Sequence, residues 1–401
     1  GGLPSSPKVA GMLSVAPAML AKQTRGNYPA PEAILSCMVE GLQVDMPTAL
    51  RIESRYLAKL MTGVNARAMI NTFFFNMNAI KSGQSRPGTA ARFKPTKVGL
   101  LGAGMMGAGI AYANAARGIT TVLRDVTLDK AQTGRDYSRK LTDKQVSQGR
   151  MDATKQSALL GLIHPTADVA DMAGCDLVIE AVFENRELKA RVTQEAEPML
   201  AEGGFFASNT STLPISGLAT ASANPSKFVG IHFFSPVDKM QLVEIIRGAQ
   251  TDDDTIARAY DYVQALGKLP IVVNDSRGFY TSRTFGTFVM EGAAMLGEGI
   301  PAPVIENLAM QVGMPVGPLA VNDEVGLDLS YKVGQQTKAD LGAAYKPGPA
   351  DAVIEKMHEL GRQGRKNAKG FYLYPEAGKK YLWPELSATV AGGLLRAGIG
   401  E

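Results

Sequence analysis

A short apolar strand that runs into a Gly-x-Gly-x-x-Gly turn constrains this chain more than any other feature. The strand covers residues 98–101, the glycines are Gly102, Gly104 and Gly107, and an apolar helical run follows. In a βαβ unit the first glycine allows a tight turn, the second lets the backbone approach a pyrophosphate, and the third lets the helix pack close to the strand. A second predicted strand is followed by Asp125, where a carboxylate can accept hydrogen bonds from ribose hydroxyls. The combination predicts a dinucleotide-binding α/β domain, whereas the glycines alone would also fit an ordinary turn.

Length and composition restrict the class of protein. With 401 residues the chain is too long for one typical core, so we expect two or three domains. The net charge is only +4 and no basic tail occurs, which argues against nucleic acid as a partner. Cys37 and Cys175 have neither metal-ligand spacing nor a disulfide pattern, so we predict a reducing compartment and no metal site. No apolar run reaches the roughly 18 residues of a membrane helix.

The chain divides into segments of different character. Pro, Gly and Ser are frequent before residue 31, and two apolar-periodic helices follow at 31–41 and 48–80. The start has no Met and no secretory signal, so we expect a processed form or a piece of something longer. We predict linker and docking helices at 1–93, a dinucleotide-binding domain at 94–276, a helical domain at 277–378 and a truncated tail at 379–401.

The middle of the chain alternates predicted strands with predicted helices. The predicted strands are 97–101, 120–124, 175–181, 204–208, 227–233, 241–246 and 269–273. The predicted helices are 127–149, 186–201 and 252–267, then 279–297, 302–312, 322–341 and 350–361, with no convincing strand after residue 277. Parallel strands with helical crossovers predict an open, doubly wound, Rossmann-type sheet. The fold class is therefore α/β, with an N-terminal helical linker and an all-α C-terminal domain.

His232 and Glu244 are candidates for a proton-transfer pair. His232 lies at the end of a predicted strand that Pro236 terminates, and ligands of open α/β sheets collect at such ends. Glu244 follows twelve residues later among Val and Ile, where a carboxylate is costly unless it is paired. A His–Glu pair would suit removal of a hydroxyl proton while hydride leaves the same carbon. The alternative is a core histidine, with a glutamate that only caps the sheet.

Three further polar groups lie where predicted strands or turns end. Residues 208–212 are a hydroxyl and amide cluster, which would also fit a polar turn or helix cap. Glu180 ends an apolar strand, which suggests the same cleft. Lys366 belongs to a cationic turn that is usually solvated surface but could reach a cofactor.

These residues belong to motifs that strongly resemble those of L-3-hydroxyacyl-CoA dehydrogenase, in matching order across about 95–378. The motifs are Gly102-x-Gly104-x-x-Gly107, Glu180-Ala181-Val182-Phe183-Glu184-Asn185, Ser208-Asn209-Thr210-Ser211, His232-Phe233-Phe234-Ser235-Pro236, Val243-Glu244-Ile245-Ile246, Pro315-Val316-Gly317-Pro318 and Gly364-Arg365-Lys366. Residues 1–93 resemble the linker that joins an enoyl-CoA hydratase domain to this dehydrogenase in bacterial multifunctional fatty-acid oxidation proteins. The resemblance implies a fragment without the hydratase domain and without the second helical repeat.

The resemblance implies a role for each matching residue. His232 matches the catalytic base, Glu244 its partner, and Ser211 the serine that binds the substrate's 3-oxygen. The residues that match NAD-binding positions are Gly102, Gly104, Met105, Met106, Gly107, Asp125, Glu180, Asn185 and Lys366.

Two positions depart from the family pattern. Ser235 stands where the family has Asn in His-Phe-Phe-Asn-Pro, and Ser282 stands where it often has Asn before an arginine. Both serines could bind substrate with a shorter reach, which would change the rate and the chain-length preference more than the reaction type. Ser138 and Lys144 are candidate contacts to coenzyme A.

The implied reaction is NAD-dependent oxidation of an L-3-hydroxyacyl-CoA to the 3-ketoacyl-CoA in fatty-acid β-oxidation. Implied partners are the acyl-CoA substrate, a thiolase subunit in a multienzyme complex and a second copy bound through the helical domain, in the bacterial cytoplasm. Hydratase activity is expected of the whole protein but not of this chain. Two alternatives remain: a 3-hydroxyacid dehydrogenase that uses a catalytic lysine, and a non-catalytic NAD-binding protein.

Overall fold

A computed structural model of the protein contains an eight-stranded sheet, and the glycine turn follows one of its strands. The structure describes residues 3–390, apart from the side chain of Asp340. These residues fall in two compact units. We call Phe73–Arg283 the sheet unit, and the segments before and after it together the helical unit.

The strands of the sheet confirm the predicted doubly wound, Rossmann-type α/β fold. They are β1 (Lys97–Leu101), β2 (Thr120–Arg124), β3 (Ile163–Thr166), β4 (Cys175–Glu180), β5 (Leu200–Ser208), β6 (Phe228–Phe233), β7 (Leu242–Arg247) and β8 (Leu269–Asn274). Their order in the sheet is β3-β2-β1-β4-β5-β6-β7-β8. The direction of winding therefore reverses between β1 and β4, and ligands of open α/β sheets bind outside the carboxyl ends of the strands at such a reversal.

Helices provide the crossovers of the sheet and most of the helical unit. In chain order they are α1 (Pro7–Thr24), α2 (Pro29–Gly41), α3 (Met46–Met61), α4 (Val64–Met69), α5 (Met77–Lys81), α6 (Met105–Ala115), α7 (Leu128–Ser147), α8 (Ala153–Gly161), α9 (Arg186–Ala196), α10 (Ile215–Leu218), α11 (Asp253–Ala265), α12 (Thr281–Gly297), α13 (Ala302–Gln311), α14 (Pro318–Val325), α15 (Leu327–Leu341), α16 (Pro349–Glu359) and α17 (Leu386–Val390). A π-helix, Ile70–Asn76, joins α4 to α5. In the described part of the chain, no helix is both long and apolar enough to span a bilayer.

The last two strands run against the rest, so the expectation of parallel strands is wrong there. β7 is antiparallel to β6, and β8 is parallel to β7. Only residues 234–241 join β6 to β7, whereas a parallel crossover needs about a dozen residues or more. The antiparallel register places His232 directly opposite Glu244.

Apolar side chains cover both faces of the sheet. One face carries Leu100 and Ile179 in a core with α6 and α11, and the other carries Leu101 and Val178 in a second core. Adjacent residues of one strand thus serve opposite cores, which is why the strands read as continuous apolar runs rather than alternating ones. The two cores fix the positions of the strand ends.

An ion-pair cluster fixes the segment before β1 to α11. The Arg86 guanidinium donates to both carboxylate oxygens of Asp261 at 2.8 and 2.9 Å, and the backbone N–H of Phe93 donates to Oδ2 at 2.9 Å. The side chains of Arg86 and Asp261 are only 6% and 3% exposed. Burial tends to raise the pKa of Asp261, but the hydrogen bonds from Arg86 and Phe93 outweigh it and lower that pKa. Part of the predicted linker is therefore bound to the sheet unit.

The helical unit has a core of its own. Leu296, Leu319, Leu327, Met357 and Phe371 are among its fully buried side chains, and Leu386 in α17 packs with them. The expectation of no strand after residue 277 is wrong, because β9 (Tyr372–Leu373) pairs with β10 (Tyr381–Leu382).

Several local expectations differ from the structure. The helix predicted over 48–80 is divided near Gly63, and the helix predicted over 322–341 is interrupted at Gly326, whose φ of +105° no helix accommodates. Helices α1 and α8 and strand β3 were not predicted. The division into 1–93, 94–276, 277–378 and 379–401 stays a prediction.

Candidate active site

The glycine turn after β1 has the shape that a pyrophosphate requires. Gly102 has a φ of +95°, and a Cβ there would lie 2.8 Å from the carbonyl oxygen of Ala181. A Cβ on Gly107 would overlap the carbonyl oxygen of Gly102, so the helix packs against the turn only without a side chain. A Cβ on Gly104 would meet nothing within 4 Å. Gly104 is the N-cap of α6 and offers no side chain to the helix N–H groups, so an anion can approach them.

Asp125 lies beside this turn at the carboxyl end of β2. The backbone N–H of Ala103 donates to its Oδ2 at 2.8 Å, and that of Val126 donates to its Oδ1 at 2.7 Å. Arg124 binds elsewhere, to the carbonyl oxygen of Ala167 and to Glu195, both at 3.3 Å. The carboxylate is partly exposed next to the predicted cofactor turn, while the adjacent cation is held by other groups.

Met105 and Met106 begin α6 immediately after the turn. Met105 is 67% exposed, and Met106 is partly buried against the core. Met105 is thus the more accessible of these two predicted cofactor contacts.

His232 and Glu244 form a hydrogen-bonded pair. The His232 Nδ1 atom lies 2.8 Å from Glu244 Oε2, and both residues are almost fully buried. The rings of Phe234 and Phe279 lie 4.5 and 6.0 Å from the imidazole, measured between centroids. The Nδ1 contact fixes the plane of the ring and leaves Nε2 as the nitrogen that can act on a ligand.

Glu244 has further partners at the start of α12. The backbone N–H groups of Tyr280 and Thr281 donate to Oε1 at 3.1 and 2.8 Å, and the Thr281 hydroxyl donates to Oε2 at 2.7 Å. Burial alone would raise the pKa of Glu244, but hydrogen bonds from His232 and Thr281 outweigh it and hold that pKa below its usual value. The carboxylate is therefore ionised at neutral pH and can stabilise a protonated imidazole.

Ser211 is held in an exposed loop after β5. Its backbone N–H donates to Glu184 Oε1 at 2.7 Å, and the Thr210 hydroxyl donates to the same carboxylate at 2.9 and 3.0 Å. Lys189, which is 2% exposed at its side chain, lies 3.5 Å from Glu184. Glu184 thus ties the loop after β4 to the loop that carries Ser211.

Glu180, a predicted NAD contact, is bound by protein groups. Its side chain is fully buried, lies 2.9 Å from Lys189 Nζ and accepts a hydrogen bond from the Ser208 hydroxyl. Burial raises the pKa of Glu180, and the contacts to Lys189 and Ser208 oppose that rise. Asn185 caps α9 through Oδ1, which accepts the N–H of Leu188 at 2.8 Å.

The remaining predicted residues are distributed over both units. Ser235 is exposed, with its hydroxyl 3.4 Å from Met105 Sδ, and Ser282 is partly buried in the first turn of α12. Ser138 is fully buried in α7 and its hydroxyl has no hydrogen-bond partner, whereas Lys144 is exposed. Lys366 belongs to the helical unit, where it lies 3.1 Å from Asp328. The roles of all predicted site residues stay predictions.

Sequence reasoning assigned no role to Glu184, Lys189 or Thr281. Glu184 lies within a quoted motif, Lys189 follows that motif by four residues, and Thr281 directly precedes Ser282. The available signals were a lysine after an acidic strand end and a hydroxyl at a predicted helix start. Within residues 3–390, no group of three or more His, Cys, Asp or Glu side chains is arranged to hold a metal ion.

Two family models match this chain. The model for the 3-hydroxyacyl-CoA dehydrogenase NAD-binding domain matches residues 97–276, and that for the C-terminal domain matches residues 278–374. The alpha subunit of the fatty acid oxidation complex of Shewanella oneidensis is 36% identical over 374 residues, which are 93% of this chain and 52% of that protein. The chain thus spans about half the length of this relative.

Solved structures agree with these matches. The (S)-3-hydroxybutyryl-CoA dehydrogenase of Ralstonia eutropha is 33% identical with a TM-score of 0.66, over 71% of this chain and 100% of that one. The 3-hydroxybutyryl-CoA dehydrogenase of Escherichia coli K12 is 27% identical with a TM-score of 0.66, over 72% of this chain and 61% of that one. The chain therefore belongs to the 3-hydroxyacyl-CoA dehydrogenase family of NAD-dependent oxidoreductases, and residues 97–276 are its NAD-binding domain.

Proposed function

We propose that this chain oxidises an L-3-hydroxyacyl-CoA to the 3-ketoacyl-CoA with NAD. The observation that carries the proposal is the buried His232–Glu244 pair, which lies at 2.8 Å in the same unit as the glycine turn. The Ralstonia relative, which this chain covers completely, is named an (S)-3-hydroxybutyryl-CoA dehydrogenase, and that substrate belongs to the proposed class. A hydroxyl proton and a hydride must leave one carbon in this reaction, and a base beside a dinucleotide turn suits that need.

Each residue of the pair has a defined task. Nε2 of His232 accepts the hydroxyl proton, because Nδ1 is bound to Glu244. The ionised Glu244 stabilises the imidazolium that forms, and the Ser211 hydroxyl binds the substrate oxygen. NAD, when bound, supplies the hydride acceptor.

Most of the residues proposed to hold NAD lie at or just after the carboxyl ends of β1, β2 and β4. Gly102, Gly104 and Gly107 shape the turn for the pyrophosphate, and Asp125 accepts the ribose hydroxyls. Met105, Met106, Asn185, Glu180 and Lys366 are the further positions that we propose to border the cofactor. Ser235 and Ser282 are proposed to contact the substrate.

The surroundings of this activity are proposals as well. The relatives are named as alpha subunits of a fatty acid oxidation complex, which supports a multienzyme assembly. A thiolase subunit in that assembly is part of the proposal. A second copy bound through the helical domain and a hydratase activity of the whole protein are parts of the same proposal. A location in the bacterial cytoplasm is also part of the proposal, because the similar alpha subunits come from bacteria.

The test is NADH formation from (S)-3-hydroxybutyryl-CoA by the protein and by His232→Gln. The variant should lose about 10²–10⁴-fold in kcat with nearly unchanged NAD affinity, since only the general base is removed. His164→Gln is the matched control, because His164 is exposed on β3.

The same assay separates the alternatives. A 3-hydroxyacid dehydrogenase that uses lysine would oxidise free 3-hydroxybutyrate and tolerate His232→Gln. A non-catalytic NAD-binding protein would bind NAD and form no NADH with either substrate. Either result would contradict the proposed function.

A further inference from the structure

Two donors share one oxygen of Glu244. His232 Nδ1 lies 2.8 Å from Oε2, and the Thr281 hydroxyl donates to the same atom at 2.7 Å. A carboxylate oxygen that already accepts one hydrogen bond carries less negative charge towards its second donor. The hydroxyl of Thr281 therefore competes with the imidazole for the charge of Oε2.

The side-chain hydroxyl of Thr281 acts on Oε2 and not on Oε1. Its backbone N–H donates to the other oxygen, Oε1, at 2.8 Å, together with the N–H of Tyr280 at 3.1 Å. The two backbone donors are present whatever the side chain at position 281. The side-chain hydroxyl is therefore the separable part of this arrangement.

We propose that Thr281 is a positioning residue that sets the pH range in which His232 works as a base. The proposal rests on the proposed function of the His232–Glu244 pair and names a regulator of that pair. By drawing charge from Oε2, the hydroxyl weakens the stabilisation of the imidazolium by Glu244. His232 then stays unprotonated, and able to accept a proton, to a lower pH than it would beside an unshared carboxylate.

The other groups around Glu244 come from three elements. On β6, His232 is its titratable partner, and on β8 the apolar Ile271 is in register with it. The turn that leads into α12 also holds Tyr280 and the cations Arg277 and Arg283, and the Arg283 guanidinium lies 3.4 Å from Ser276 Oγ. The substitution at 281 leaves all of these groups in place.

The experiment compares Thr281→Val with the wild-type protein by two measurements. Valine keeps the shape of threonine and replaces the hydroxyl with a methyl group that cannot donate a hydrogen bond. The first measurement is the pH profile of oxidation, whose acid limb should move up by about 0.5–1 pH unit. The second is NMR titration of the His232 imidazole, which needs no turnover, and the chain has only three histidines to assign. Its midpoint should move up by the same amount.

Two further variants distinguish tuning from a general effect on the fold. Thr281→Ser restores a hydroxyl and should restore both midpoints to within about 0.2 pH unit, a small fraction of the shift expected on losing the bond. Thr287→Val removes a hydroxyl from the same helix, where it donates to the carbonyl oxygen of Thr284 at 2.7 Å, and should change neither midpoint.

Three results would overturn the proposal: an unchanged His232 midpoint in Thr281→Val, a downward shift, or an equal shift in Thr281→Ser. Failure of the proposed function looks different. In that case the wild-type protein forms no NADH, while the NMR titration still decides whether Thr281 acts on His232.

Discussion

Two buried carboxylates, one in each unit, have similar hydrogen bonds and opposite pKa shifts. Glu244 is fully buried in the sheet unit, and Asp323 is 1% exposed in the helical unit. Asp323 accepts the backbone N–H groups of Phe371 and Tyr372, each at 2.8 Å, and the Tyr374 hydroxyl at 3.2 Å. Burial raises the pKa of Asp323 to about 6 despite these bonds, whereas the pKa of Glu244 is lowered.

The difference lies in the partner that can carry a charge. His232 donates directly to Glu244, whereas the side-chain donor to Asp323 is a neutral phenol. Backbone N–H groups and a neutral hydroxyl therefore do not suffice to hold the pKa of a buried carboxyl at its ordinary value. A base in direct contact enables Glu244 to stabilise a protonated His232, whereas Asp323 ties the β9 segment to α14.

The largest expected effect is on catalysis. Glu244→Gln should lower kcat about 10²–10³-fold, because Gln cannot stabilise the imidazolium and the two residues act as a unit. Asp323→Asn should leave kcat within about twofold, because the Asp323 carboxylate has no part in the proposed proton transfer. Steady-state oxidation of (S)-3-hydroxybutyryl-CoA by both variants measures this contrast. Comparable losses in the two would abolish the distinction.

The second effect is on stability and has a defined sign. The pKa of Asp323 in the folded protein, about 6, lies above its ordinary value of 3.8. The contribution of protonated Asp323 to the free energy of unfolding is therefore complete below about pH 4 and is lost as pH rises through about 6. The loss is on the order of 3 kcal/mol. Urea unfolding followed by Trp383, the single tryptophan, should show it in the wild-type protein. Asp323→Asn has no charge to titrate, so its free energy of unfolding should lack this part of the pH dependence. The same dependence on pH in both proteins would contradict a raised pKa of Asp323.

A third carboxylate, Asp125, differs from Glu244 and Asp323 because it is only partly buried. It lies at the predicted ribose site. A 2′-phosphate would meet its negative charge, so the protein should prefer NAD over NADP. Asp125→Asn should narrow that preference by about tenfold, since only the like-charge repulsion is removed. Initial rates with both cofactors at equal concentration measure it. An unchanged ratio would place the discrimination elsewhere.

The smallest effect is expected at Ser282, one residue beyond the Thr281 that binds Glu244. Ser282→Asn and Ser282→Ala should each change kcat by less than about tenfold, because one neutral hydrogen bond contributes roughly 1 kcal/mol net. Kinetics and thermal unfolding are measured on both variants. Unchanged kinetics with a lower Tm in Ser282→Ala would mean that the hydroxyl only stabilises the first turn of α12.

The His232–Glu244 pairing was predictable because it is local. Twelve residues separate the two on strands joined by a short connection, and that connection forces the antiparallel register. The contact to Thr281 was not predictable, because it depends on how the chain returns 37 positions later from β8 to α12. Residue types near a motif indicate chemistry, but only the path of the chain decides which donor meets which oxygen.

Elements escaped prediction where their residues contradict the usual preferences. β3 contains His164 and Pro165 and stands at the edge of the sheet, where a missing N–H is tolerated. α1 contains Gly11 and Pro17, which lower the propensity of an otherwise apolar-periodic segment. β9 and β10 pair through two residues each, too few for a periodic signal.

The Arg86–Asp261 cluster determines where this protein can be cut. A boundary drawn at the start of the matched family region would remove Arg86 and Phe93, and so strip Asp261 of a buried ion-pair partner and a backbone donor. Leaving one member of a buried pair alone costs about 3–5 kcal/mol, a large share of what holds a domain folded. An isolated NAD-binding domain should therefore be expressed from a residue ahead of Arg86. The shorter version, although it contains every residue of the glycine turn and the His–Glu pair, should be recovered poorly.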